Sequence, residues 1–237
     1  MINCANDITN IYYINLDKRV DRKYHVENQL KLLNWTGIRF PAIQHSFGTL
    51  GCALSHLALL KYARANNLSH ILIMEDDVTF LEPTVFLNSL NKFLETHKEF
   101  DVLLLAGNNM GDYKRIDEYC VKVTHCQTTT AYLVKRHYYD TLITNYENGI
   151  NLLQLYRNKQ ILYSIDQYWC SLQMIHNWFL LTPLTVIQIP NMSDIEKRIT
   201  DYREQMLDLD KIEFVKRQQE LVALGVLNIP QHYHNNK

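Results

Sequence analysis

The sequence lacks most of the features that would assign a chain to a class at sight. No apolar run approaches the ~18 residues of a membrane helix; the longest candidate, "WFLLTPLTVIQIP", is short and broken by Pro183. The first residues, "MINCANDITNIYYINLDKR", carry no basic region followed by an apolar core, so no signal peptide is expected. There is no excess of one charge. With 24 Lys and Arg against 25 Asp and Glu, the formal net charge is -1. That balance excludes non-specific nucleic-acid binding, which needs a strong basic excess. No Cys-x-x-Cys occurs. Five scattered cysteines, Cys4, Cys52, Cys120, Cys126 and Cys170, read as reduced thiols. A cytoplasmic location is expected on these grounds, or host cytoplasm or virion for a viral chain. There is no repeat, no low-complexity segment and no evident linker.

What is present is a chain of 237 residues with 47% hydrophobic and 21% charged content. That suits one soluble globular domain. "IYYINL" (11–16) reads as a buried strand. A helix carrying Val26, Leu30 and Leu33 follows, with Asp17 or Asp21 as its cap. "IRFPAI" reads as a short strand. "GTLGCALSHLALLKYARANN" reads as a Gly-rich turn opening a helix, with Gly51, Ser55 and His56 at its start. "HILIM" and "DVLLLAG" are further strands, separated by a Pro-started helix. Alternation at this spacing predicts βαβ units and a parallel sheet covered on both faces. Beyond residue 107 the pattern is less regular: one or two strands over 119–137, a helix from 136 to 146, a helix over "SIDQYWCSLQMIHNW", a late strand in "PLTVIQI", and charged helix from Asp194 onward.

The chemistry concentrates in "ILIMEDDVTF" (71–80), where a strand runs into Glu75, Asp76 and Asp77. Ligands of doubly wound sheets bind past the carboxyl ends of strands. Strand alternation points Glu75 and Asp77 to one side and Asp76 to the other. Two like charges at 4 Å repel by about 4 kcal/mol at an effective dielectric of 20. A divalent cation would relieve that cost, and oxygen-only ligands favour Mg²⁺, Mn²⁺ or Ca²⁺. The alternative is a solvated loop in which Asp76 or Asp77 merely caps the next helix.

Three stretches in order, "IYYINLDKRVDRK" (11–23), "GTLGCALSHLALLKYA" (48–63) and "ILIMEDDV" (71–78), resemble glycosyltransferase family 25, the group of lipooligosaccharide glycosyltransferases and collagen galactosyltransferases. "TTTAYLV", "IDQYW" and "QIPNMSDIE" extend the likeness to residue 196. The resemblance implies a GT-A type fold with a Rossmann-like, mostly parallel sheet. It also implies inverting transfer from a sugar nucleotide and a divalent metal, often Mn²⁺. UDP-galactose is the first donor expected and UDP-glucose the second. The acceptor would be a hydroxyl on a glycan or a hydroxylated protein. The domain is expected over 1–196, with a C-terminal helical extension over 197–237 packed on it.

The residue assignments combine both readings. Glu75 and Asp77 are expected to hold the metal, with Asp194 as an extra contact. Asp76 is expected at ribose hydroxyls or a basic neighbour. Arg19 and Arg22 suit phosphate, since the guanidinium fork matches it. Asn15 and Leu16 are expected to cradle the base or ribose. Ser55 and His56 are expected near an anion-attracting helix start, and Gln188 and Ser193 over the donor diphosphate. Asp166, alone among apolar and aromatic residues, is the candidate base, because burial raises a carboxyl pKa. Two other functions are compatible with the fold: a non-catalytic sugar-binding module, and a nucleotidyltransferase. The latter usually has an early Gly-rich loop, and "IYYINLDKRV" has no glycine.

Overall fold

The computed structural model describes residues 2–211 and 220. Strand β1 (Ile11–Asn15), with all five residues buried, leads into α1 (Val20–Leu32) and β2 (Ile38–Pro41). Helix α2 (Gly48–Ala65) returns the chain to β3 (His70–Glu75). The acidic turn follows, then β4 (Val78–Phe80), α3 (Pro83–Thr96) with proline in its first turn, and β5 (Val102–Leu104). Five short strands come next: β6 (Asn108–Asn109), β7 (Tyr113–Arg115), β8 (Cys120–Val123), β9 (Cys126–Gln127) and β10 (Ala131–Lys135). Helix α4 (Tyr139–Leu155) precedes three single turns, α5 (Gln160–Tyr163), α6 (Ile165–Tyr168) and α7 (Cys170–Gln173). Strands β11 (Trp178–Leu181), β12 (Val186–Gln188), β13 (Asn191–Met192) and β14 (Ile199–Thr200) and helix α8 (Arg203–Leu207) complete the described elements.

Eight strands form one sheet in the order β2-β1-β3-β10-β5-β11-β8-β7. Only β10 and β8 run against the direction of β1. The fold is therefore the mostly parallel α/β sheet flanked by helices that the GT-A expectation required. Side-chain alternation divides the core into two layers. Ile71 and Ile73 of β3 pack with residues of α2 and α4, while Leu72 and Met74 pack with residues of α1 and α3. Each fully buried Leu or Ile contributes roughly 1.5–3 kcal/mol. Two covered faces explain why these strands read as continuous apolar runs. Among the described residues, no helix is long and apolar enough to cross a membrane.

Several local expectations are corrected. Antiparallel β10 is wedged between β3 and β5, because a buried apolar run carries no information about strand direction. Helix α1 is capped by neither aspartate: Arg19 holds the N-cap position, Asp21 pairs with it at 2.8 Å, and Asp17 pairs with Arg39 at 2.5 Å. Helix α4 begins and ends later than predicted, running through Gly149, where a Cβ would stand 3.1 Å from the Tyr168 ring. The glycine there is a packing requirement, not a stop signal. The stretch from Ser164 is two separate turns around buried Trp169, whose indole N–H donates to the Cys126 carbonyl at 2.9 Å.

The chain after Asp194 is not a continuous helix either. The Ser193 hydroxyl accepts the N–H groups of Ile195 (3.2 Å) and Glu196 (3.0 Å), an alternative to helical bonding. Strands β13 and β14 pair across that turn, so the boundary expected at 196 falls between them. The remainder of the expected extension, 212–219 and 221–237, lies outside the described residues.

Candidate active site

The carboxyl ends of β1 and β3 open on a cavity of about 1100 Å³. Glu75 is the last residue of β3, and Asp76 and Asp77 form the turn after it. Strand alternation therefore stops at Glu75 and does not sort the triplet into two sides. Contacts sort it instead. Arg22, from α1, reaches across and pairs with Asp76 Oδ1 at 3.1 Å and Asp77 Oδ2 at 2.9 Å. Asp76 Oδ2 accepts the Asn15 side-chain amide at 2.7 Å. Asp77 Oδ1 is buried and has no hydrogen-bond partner.

Glu75 is held from three directions. Its Oε1 accepts the Thr129 hydroxyl at 2.5 Å and faces His56 Nε2 at 3.4 Å; its Oε2 accepts the Gln188 amide at 3.1 Å. Thr129 is there because β10 lies beside β3 with Ala131 opposite Met74, which carries the preceding threonines to the acidic corner. His56 is fully buried, and its Nδ1 lies 2.8 Å from the Tyr132 hydroxyl, which accepts from Tyr146 at 3.1 Å.

The carboxyls respond differently to this setting. Burial pushes Glu75 up, but His56, Thr129 and Arg22 together outweigh it and hold its pKa below the ordinary value. Burial raises Asp76 despite Arg22 and Asn15. Burial, then the charge of Glu75, push Asp77 up to about 7. Like charges this close disfavour one another's ionisation, and the Arg22 guanidinium relieves part of that cost. Asp166 shares the cavity wall with them. Its Oδ2 accepts the Thr128 N–H at 3.2 Å, and burial together with Glu75 keeps its pKa raised. Asp166 is not the helix cap; Ser164 occupies that place.

Other predicted residues take different places. Asn15 is not in the cavity wall. Its amide goes to Asp76 and the Arg19 carbonyl, and its oxygen accepts Arg39 Nε at 2.8 Å, so it positions Asp76 where a ribose contact was expected. Leu16 does line the cavity. Ser55 and His56 do not open a helix. Helix α2 starts at Gly48, so both lie inside it, and Ser55 donates to the Gly51 carbonyl at 2.7 Å. Gly51 admits the neighbouring loop: a Cβ there would meet the Ile43 carbonyl at 2.7 Å.

Gln188 steadies Glu75, and Ser193 organises its own turn at the cavity edge. Asp194 pairs with Lys18 at 2.7 Å and Arg19 at 2.6 Å, both of which outweigh its partial burial and lower its pKa. Burial raises the Cys52 thiol well above its ordinary value, which fits a packing residue. Among the described residues, the close group of donors at this end is Cys52, His56 and Glu75, not Glu75, Asp77 and Asp194.

Thr129, Arg39 and the Tyr146–Tyr132–His56 chain were not anticipated. The run "TTTAYLV" was visible in the sequence. Which threonine faces Glu75 depends on the β3–β10 register.

Comparisons with known proteins bear on the family of the chain. The model of "Glycosyltransferase family 25 (LPS biosynthesis protein)" matches residues 44–167. A candidate glycosyltransferase of Haemophilus influenzae is 45% identical over 53 residues, which are 22% of this chain and 19% of that protein. The match thus spans about a fifth of that relative's length. Among solved structures, a glycosyltransferase involved in glycosylation of the major capsid of PBCV-1 aligns over 90% of this chain and 98% of its own, with 8% identity and a TM-score of 0.42. A candidate glucose-1-phosphate thymidylyltransferase from Bacillus anthracis aligns over 95% and 80%, with 13% identity and a TM-score of 0.39. Neither structural likeness bears on the reading of the site. The family match covers over half of the 237 residues and includes α2, the acidic corner and Asp166: the chain belongs to glycosyltransferase family 25.

Proposed function

We propose that this glycosyltransferase transfers a hexose, with inversion, from a UDP-sugar to a hydroxyl of a glycan or hydroxylated protein, and that it uses a divalent ion, Mn²⁺ or Mg²⁺. UDP-galactose and UDP-glucose are the first donors to test. One observation carries the metal reading: Asp77, in the cavity wall, keeps a buried oxygen without a partner beside the charged Glu75. Several carboxylates share that corner with one guanidinium, so it retains negative charge for a cation to neutralise. Glu75 and Asp77 fit as hard oxygen donors. Asp194 is committed to Lys18 and Arg19 and contributes only if those pairs open. When bound, the ion offsets the charge that builds on the departing diphosphate.

The chain's own residues supply the rest. Arg22 has a buried Nε without a partner and, with Lys18 and Arg19, makes that rim of the cavity basic, which suits phosphate oxygens. Asp166 lies in the same wall with a raised pKa, as a base needs. It accepts the acceptor hydroxyl's proton while that oxygen bonds to the anomeric carbon and the bond to the diphosphate breaks. Gln188 and Thr129 hold Glu75 still, so its charge is already in place.

The test is a panel of nucleotide sugars offered with acceptor mixtures, with Mn²⁺ and with chelator. Release of UDP from UDP-galactose or UDP-glucose that stops on chelation is expected. Full turnover in chelator would remove the metal from the reading. Turnover confined to non-uridine donors would replace the donor class.

A further inference from the structure

Outside the cavity, three different donors meet where α3 ends. His97 follows the last residue of that helix and places Nε2 2.6 Å from Asp117 Oδ2. Asp117 lies in the turn between β7 and β8. Its other oxygen, Oδ1, accepts the N–H groups of Tyr119 (2.8 Å) and Cys120 (3.0 Å), which fixes the carboxylate and leaves Oδ2 facing His97. Cys120, the first residue of β8, is fully buried. The imidazole nitrogen, the carboxylate oxygen and the sulfur all lie within 4.8 Å of one another. None of the three lines the catalytic cavity.

An ion pair of His97 with Asp117 occupies two of these groups, and Cys120 packs in the core layer with Phe93 and Phe179. A metal would draw on all three. Aspartate and cysteine are separated by two residues in a tight turn, a spacing that places two ligands on one side, and a histidine arrives from another element. A mixed nitrogen, oxygen and sulfur set suits zinc-class ions and not Mg²⁺ or Ca²⁺. The histidine ring is held in place, 5.0 Å from the Phe93 ring and 6.1 Å from that of Phe179. His97 and Asp117 remain partly exposed, which leaves room for water.

We propose that His97, Asp117 and Cys120 form a structural site for a zinc-class cation, with water as the fourth ligand, clipping the end of α3 to the β7–β8 turn. Entry of the ion displaces the thiol proton of Cys120 and any proton shared by His97 and Asp117, both to solvent. The His97–Asp117 separation opens from 2.6 Å to the about 3.3 Å of two ligands on one tetrahedral zinc. The proposal does not depend on the transfer reaction.

The experiment uses the full chain, stripped with chelator and titrated with Co²⁺ and then Zn²⁺. Co²⁺ should produce a thiolate-to-metal absorption band that vanishes in Cys120→Ser and persists in Cys52→Ser, the control for the cavity group. Zn²⁺ at hundredfold excess over its Kd should raise the Tm by about 5–10 °C, and that gain should disappear in Cys120→Ser. His97→Gln should alter or abolish the band and serves if the cysteine variant does not fold. Absence of a thiolate band in the wild type would overturn the proposal. So would a band that survives in Cys120→Ser and is lost in Cys52→Ser.

Discussion

Asp77 and Asp194 are the same residue type on two walls of one cavity, and they titrate in opposite directions. Asp77 sits in the turn after a fully covered strand, beside Glu75 and Asp76, and is raised to about 7. Asp194 sits in the turn between β13 and β14, partly exposed, between Lys18 and Arg19, and is lowered. Burial dominates the first site and cationic neighbours dominate the second. The raised carboxyl thus lies in the buried turn that ends a central strand. The lowered one lies at the partly exposed rim, where ion pairs with basic side chains contribute little stability.

The comparison is broken most severely at Asp77. Asp77→Ala is expected to take metal-dependent transfer below detection while circular dichroism and cooperative unfolding stay native, since removal of a carboxyl crowded by Glu75 and Asp76 costs little stability. Retained turnover would show that the ion is held elsewhere. Asp166→Asn is expected to lower kcat by about 10²–10⁴-fold, the range for a lost general base, and to remove the acidic limb of the pH–rate profile. An unchanged profile would reassign the base.

Stability against pH sharpens the contrast. In metal-free protein the folded state keeps a proton on Asp77 that the unfolded chain releases near pH 4. Stability should therefore fall, by a few kcal/mol at most, as pH rises from about 4 to about 7. Asp77→Asn should flatten that slope in denaturant titrations, and Mn²⁺ should offset it in the wild type. Asp194 has the opposite sign. Its lowered pKa stabilises the fold above the unfolded value, and that contribution is lost as pH falls through the folded one. Because the pairs with Lys18 and Arg19 are partly exposed, Asp194→Asn should cost no more than about 1 kcal/mol, with a few-fold rise in donor KM at most. A loss of kcat as large as that of Asp166→Asn would place Asp194 in the machinery.

The first half of the chain was legible because its elements are regular. Buried strands at 11–15, 70–75 and 102–104 and helices at 48–65 and 83–96 follow from apolar runs, a proline start and asparagine stops. The acidic triplet was visible as an anomaly at a strand end. The antiparallel insertion of β10 was not visible, since period and hydrophobicity are blind to direction. Nor was the role of Asn15, Thr129 and Gln188, which stand 61, 54 and 113 residues from the carboxylates they hold. The helix called from Asp194 onward failed at Ser193, where a hydroxyl competes with backbone bonding.

By itself the sequence determined the α/β alternation, the two-sided burial of the central strands and the kinship carried by three ordered motifs, because each is a local pattern along the chain. Tertiary structure alone decided which carboxyl has its pKa lowered and which has it raised. That outcome depends on Arg22, His56 and Thr129 arriving from three separate elements, and electrostatic energies follow distance and burial, neither of which is written in the order of residues.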